Sequence, residues 1–251
     1  MTTNKTTRKT TSKTKVVAKS VEQPFEPTQE KSGIKILNPY PGIDTVRKML
    51  KDSTVTDDDM VEIINITFQA DEDYILREPN QEYIEREIQW YKSQSLYVDD
   101  IPGDTPKIWK QVSSTEGKIN SNYGWCIFSA DNGYQYNSAI NHLKTDKNTR
   151  KAIMIYTRPS MQTDYNKNGM SDFMCTNNVQ LYIRNNKLIY CVNQRSCDAV
   201  FGFNNDLAWH KFVYEKLMAD LQETYPDLQS EYIQYTCGSL HVYPRHQHLL
   251  K

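Results

Sequence analysis

The chain has 251 residues, 38% of them hydrophobic and 24% charged, and a formal net charge of -1 at pH 7. That length supports one large core, with two small domains as the competing arrangement. No run of 18 apolar residues occurs and no apolar stretch follows the basic residues at the amino terminus, so a membrane span and a secretory leader are not expected; a cytoplasmic protein is. Five cysteines (Cys126, Cys175, Cys191, Cys197 and Cys237) form no CxxC pair, which predicts free thiols instead of a disulfide framework.

The near-zero charge hides an asymmetry. Residues 1–20 carry six Lys or Arg and no acid, leaving the other residues at -7. Residues 1–32 are rich in Thr, Lys and Ser and end near Pro24, Pro27 and Gly33, a composition with too little apolar surface to offset the entropy of ordering. A disordered basic tail is expected there, with a nucleic-acid-binding arm as the alternative. Residues 33–251 read as a single domain without internal repeats.

Within that domain, Tyr83, Ile84, Ile88, Trp90 and Tyr91 fall at helical spacing and predict a core-facing helix over 81–97 that carries Glu87 on or near its apolar stripe. Approximate alternation of Ile, Val and Tyr predicts strands at 150–157, 177–184 and 187–194, the last two joined by an Asn185-Asn186 turn. Leu207, Phe212, Val213, Leu217 and Leu221 predict a long helix over 205–222, after a turn at Gly202. Strands grouped in the second half, not alternating with helices, indicate the α+β class.

Antiparallel pairing across the Asn185-Asn186 turn brings Cys175 toward Arg195 and Ser196. A guanidinium there favours a thiolate, and the same cation with a hydroxyl can hold a phosphate. The competing reading of Cys175 is a small core group.

Taken in order, Arg-Glu-Ile-Gln-Trp (86–90), Asn-Tyr-Gly-Trp (122–125), Arg150-Lys151 before a strand, Cys175, Gln-Arg-Ser-Cys-Asp (194–198), the Gly202 turn and His-Val-Tyr (241–243) resemble the thymidylate synthases. The resemblance spans about residues 60–248. It is strongest to the bacteriophage deoxycytidylate hydroxymethylase branch, through Trp-Tyr-Lys-Ser, Ile-Pro-Gly, Thr-Pro-Lys-Ile-Trp and Tyr-Thr-Arg-Pro-Ser-Met-Gln. It implies a mixed β-sheet packed with helices, a homodimer formed sheet to sheet, and a phage enzyme acting in the bacterial cytoplasm. Its substrates would be dCMP and 5,10-methylenetetrahydrofolate, with no metal. Action on dUMP, methylation in place of hydroxymethylation, and a non-catalytic nucleic-acid-binding homologue are the alternatives.

Carried over residue by residue, the resemblance makes Cys175 the nucleophile for carbon 6 of the pyrimidine and Glu87 the general acid/base. Arg195 and Ser196 match the phosphate-binding pair, and Arg150 an arginine that reaches the neighbouring subunit's phosphate. Lys151 stands where a second arginine is common, keeping the charge but losing the bidentate fork. A further phosphate-loop arginine has no counterpart in residues 51–62, where Asp57, Asp58 and Asp59 occur. His241 and Tyr243 match the deoxyribose ligands, Tyr123 a tyrosine beside the nucleophile, Trp109 a folate-side aromatic and Asp198 a pterin-side carboxylate. Asp206 replaces the asparagine of thymidylate synthases and can accept from the amino group of cytosine, although it also suits an N-cap. A metal cluster of His241, His246 and His248 fits no usual ligand spacing.

Overall fold

The computed structural model describes residues 40–164 and 166–251; the basic tail expected over 1–32 lies outside them. Strands β1 (Val61–Ala70), β2 (Ile153–Ile155), β3 (Thr176–Arg184), β4 (Lys187–Gln194), β5 (Cys197–Asp198) and β6 (Gln229–Val242) form one mixed sheet. Its order is β1-β6-β4-β3-β2, with β5 beside β6. β6 runs parallel to β4 and β5, and the other pairings are antiparallel.

The β3–β4 hairpin follows directly from its sequence. Val179, Leu181 and Ile183 on one strand and Leu188, Tyr190 and Val192 on the other turn inward, while their alternate neighbours stay half-buried. Asn185 and Asn186 join them with φ of 48° and 60°, the left-handed pair that a two-residue turn needs and that Asn tolerates better than other side chains. The resulting register sets Thr176 opposite Gln194 and lets the Arg195 N–H donate to the Cys175 carbonyl at 2.9 Å.

Helices α1 (Ile43–Asp52), α2 (Gln81–Ser93), α3 (Lys107–Val112), α4 (Tyr123–Phe128), α5 (Gln135–Thr145), α6 (Met161–Asp164) and α7 (Gly202–Gln222) complete the regular elements of the described residues, apart from 3-10 turns. α2 starts where Asn80 accepts from the Tyr83 N–H, and buries Ile84, Glu87, Trp90 and Tyr91. It ends four residues earlier than its periodicity predicts, because Gln94 turns left-handed and caps it. α7 begins at Gly202 itself and buries Leu207, Val213, Leu217 and Leu221 in the main core.

Two expectations are corrected. The strands are not confined to the second half: β1 lies before α2 and occupies the sheet's edge. The strand expected over 150–157 narrows to three residues, because Tyr156 and Thr157 both donate to Asn177 O and the ladder slips there. None of the described helices is long and apolar enough to cross a membrane.

Candidate active site

Three elements converge on one polar cluster at the Thr176–Gln194 end of the hairpin. Cys175 stands just ahead of β3, Glu87 projects from α2, and Asp206 lies in the second turn of α7.

Cys175 is half-buried, and its thiol is pushed up to about 12, first by burial and then by the Asp206 charge, with Arg195 opposing. This reverses the expected thiolate. The Arg195 guanidinium gives two of its five N–H donors to carbonyls, from Nε to Met174 O at 2.9 Å and from Nη2 to Phe173 O at 2.6 Å, while lying over the Phe173 ring. Its charge therefore offsets only part of the desolvation. Arg195 remains exposed beside half-buried Ser196, so both stay open to solvent.

Glu87 is buried, and its carboxyl is pushed up to about 7, chiefly by desolvation. The Asp206 charge adds to this, and hydrogen bonds from Tyr83 and Trp109 oppose it. Tyr83 Oη donates to Glu87 Oε1 at 2.5 Å, and Trp109 Nε1 reaches the same oxygen at 3.2 Å. A carboxyl titrating near neutrality suits a general acid/base.

Asp206 is likewise pushed up to about 7 by burial, against hydrogen bonds from Gln194 and Tyr123. Gln194 Nε2 donates to Asp206 Oδ2 at 2.6 Å and to Thr176 Oγ1 at 3.2 Å, and Thr176 Oγ1 donates to Tyr123 Oη at 3.2 Å. Asp206 is no N-cap, since α7 starts four residues before it; Phe201 holds that place and no side chain caps the helix. The Asp198 carboxylate accepts from Val200 N at 3.1 Å and Phe201 N at 3.4 Å in the turn just ahead of it.

His241 is buried, pairs with Asp198 across β5–β6 and Glu62 across β1–β6, and shares a 3.2 Å hydrogen bond between Nδ1 and Ser239 Oγ. Its ring meets that of Tyr243 edge-on at 5.0 Å. Trp109 packs edge-on against Trp90 at 5.1 Å. Among the described residues no three His, Cys, Asp or Glu side chains group as metal ligands.

Arg150 and Lys151 are exposed and lie apart from this cluster. Ile153 pairs with Gln180, which sets Arg150 near the Asn185-Asn186 end, roughly 25 Å from Cys175 at ~3.3 Å per residue. Three members of the cluster were not anticipated: Tyr83, Thr176 and Gln194. Only Tyr83 carried a usable signal, one helical turn before Glu87 on the same face.

Residues 68–251 match the family model described as thymidylate synthase, and the chain belongs to that family. Its relatives include the deoxycytidylate 5-hydroxymethyltransferase of Enterobacteria phage T6, 56% identical over 192 residues that span 76% of this chain and 78% of the phage protein. The enzyme of the same description from Enterobacteria phage T4 is 55% identical over the same shares. A thymidylate synthase of Francisella tularensis subsp. holarctica is 25% identical over 170 residues, 64% of this chain and 60% of that protein.

Proposed function

We propose that this chain transfers a one-carbon unit from 5,10-methylenetetrahydrofolate to carbon 5 of dCMP with addition of water, giving 5-hydroxymethyl-dCMP and tetrahydrofolate. The observation that carries the reading is a half-buried carboxyl, Asp206, held by Gln194 beside the thiol. Cytosine offers an amino donor and a ring nitrogen acceptor, and a carboxyl titrating near 7 can accept from the first and share its proton with the second. Uracil reverses both groups and leaves them mismatched. The likeness to the phage deoxycytidylate 5-hydroxymethyltransferases supports the same choice.

In this reading Cys175 adds to carbon 6, and carbon 5 gains the electron density to attack the one-carbon unit. Loss of the carbon 5 proton and departure of tetrahydrofolate leave an exocyclic methylene. Water assisted by Glu87 adds to it, and expulsion of Cys175 restores the ring. Arg195 and Ser196 hold the phosphate, and His241 and Tyr243 the deoxyribose. Tyr123 orders the carboxyl of Asp206. Trp109, on a short helix with half-exposed Ile108, and Asp198, beside exposed Phe201, offer the flat apolar and polar surfaces that a pterin fits. The chain works as a homodimer that joins the half-buried faces of two sheets, with Arg150 and Lys151 delivered to the neighbour's phosphate. We place it in the host cytoplasm.

The test is incubation with labelled methylenetetrahydrofolate and either dCMP or dUMP. Hydroxymethyl-dCMP with tetrahydrofolate is expected; formation of dihydrofolate would overturn water as the quenching group, and turnover of dUMP alone would overturn the substrate.

A further inference from the structure

Glu87 is held unevenly. Oε1 accepts from Tyr83 Oη at 2.5 Å and from Trp109 Nε1 at 3.2 Å, whereas Oε2 makes no hydrogen bond among the described residues. Tyr83 Oη also accepts from the same indole N–H at 2.9 Å, so one N–H is shared between the phenol and the carboxyl. The three groups close a ring of donors on a single carboxyl oxygen, with Tyr83 as the member that both accepts and donates.

From this geometry we infer that Tyr83 is a positioning residue that ties down Oε1 of Glu87 and leaves Oε2 as the oxygen that takes up and releases the catalytic proton. An oxygen that already accepts two hydrogen bonds is the poorer proton acceptor, so protonation is directed to Oε2. The carboxyl then presents one reactive oxygen in one orientation, which is what addition of water to a short-lived methylene requires. The ring also joins Glu87 to Trp109, so a ligand packed on the indole biases the base through Tyr83. This inference rests on the proposed reaction for its role in turnover, but its proton chemistry stands apart from that reaction.

The groups facing Glu87 limit the alternatives. From α2 these are Tyr83 and Tyr91, from α3 Trp109, and from α7 Asp206, whose charge raises the Glu87 carboxyl. Tyr83 is the one whose loss removes a hydrogen bond to the charged form without removing a carboxylate or an indole. Burial and the neighbouring Glu87 charge push the Tyr83 phenol far above its ordinary value, so it stays a donor throughout the working range.

The experiment compares Tyr83→Phe with the parent protein in two readouts. In turnover, the acid limb of kcat for dCMP is expected to move to higher pH by about one unit, the size expected for losing one hydrogen bond to a charged group, while KM for dCMP changes less than about twofold. In the unliganded protein, the infrared band of the protonated Glu87 carboxyl, assigned by its loss in Glu87→Gln, is expected to titrate about one unit higher as well. An unmoved infrared titration overturns the inference, as does an unmoved acid limb in a protein that turns over. A parent protein inactive on dCMP whose infrared titration still shifts in Tyr83→Phe overturns the proposed reaction and leaves the proton-directing role standing.

Discussion

Gln194 donates its amide to Asp206 across 2.6 Å, binding the end of β4 to the second turn of α7. The same Nε2 reaches Thr176 Oγ1 on the facing strand, so a carboxyl on a helix is oriented by the register of a hairpin. The hairpin's two-residue Asn turn therefore indirectly sets how Asp206 is presented.

Asp206→Asn is expected to move preference from dCMP toward dUMP. With its oxygen held by the Gln194 amide, an asparagine turns its NH2 toward the base, which suits the uracil carbonyl and leaves a donor facing the amino group of cytosine. The ratio of kcat/KM values for the two nucleotides should change by on the order of a hundredfold or more, as expected where buried polar groups are mismatched. An unchanged ratio with intact folding sinks the argument that Asp206 selects the base.

Glu87 and Asp206 carry folded-state pKa values pushed up to about 7, above the ordinary carboxyl range near 4. Between roughly pH 4 and 7 the folded protein therefore binds more protons than the unfolded chain. Stability falls as pH rises through that window and levels off above it. Glu87→Gln removes the buried charge while retaining an oxygen that can accept from Tyr83 and Trp109. It should stabilise the protein by on the order of 2 kcal/mol at pH 8 and by much less at pH 5. Thermal melts of both proteins at the two pH values check this; equal differences at both would contradict it.

The Cys175 thiol, pushed up to about 12, should be a slow nucleophile in the unliganded protein. Its alkylation by iodoacetamide is expected to climb about tenfold per pH unit from 7 to 9 without a plateau, since only the thiolate reacts. Cys175→Ser supplies the background from the other four cysteines, three of them buried. A plateau near pH 8 would mean that Arg195 outweighs burial after all.

These thiols and carboxyls also show how far the sequence could be read. The β3–β4 hairpin was legible because alternation and two turn-forming Asn residues agree, and the Cys175–Arg195 juxtaposition follows from it. α2 and α7 were legible through their apolar period. β1 and β6 were not anticipated. A left-handed Asn65, with φ of 54°, breaks the alternation of β1, whereas β6 does alternate, with Gln234 and Thr236 between buried Ile233, Tyr235 and Cys237, and its signal stood in the sequence unused. Thr176 and Gln194 escaped notice because a partner reached by hydrogen bond across elements leaves no period or spacing behind. The thiol was misjudged for a related reason: a neighbouring cation is visible in a hairpin, whereas the degree of burial that outweighs it is set by three separate elements.

Arg150 stands near the far end of the hairpin from its own Cys175, so its proposed phosphate contact requires a second subunit. Mixing inactive Cys175→Ser with weakly active Arg150→Ala after joint unfolding and refolding tests this directly. In a mixed dimer, the Arg150→Ala subunit contributes Cys175 and the Cys175→Ser subunit contributes Arg150, so one of the two sites is whole. With random pairing of equal amounts, half of the dimers are mixed, and activity should recover to roughly a quarter of the parent value. If Arg150 served its own subunit, each mixed dimer would hold one site without the thiol and one without the arginine. Activity would then stay at the level of the Arg150→Ala protein diluted twofold, and the proposed exchange of Arg150 between subunits would be wrong.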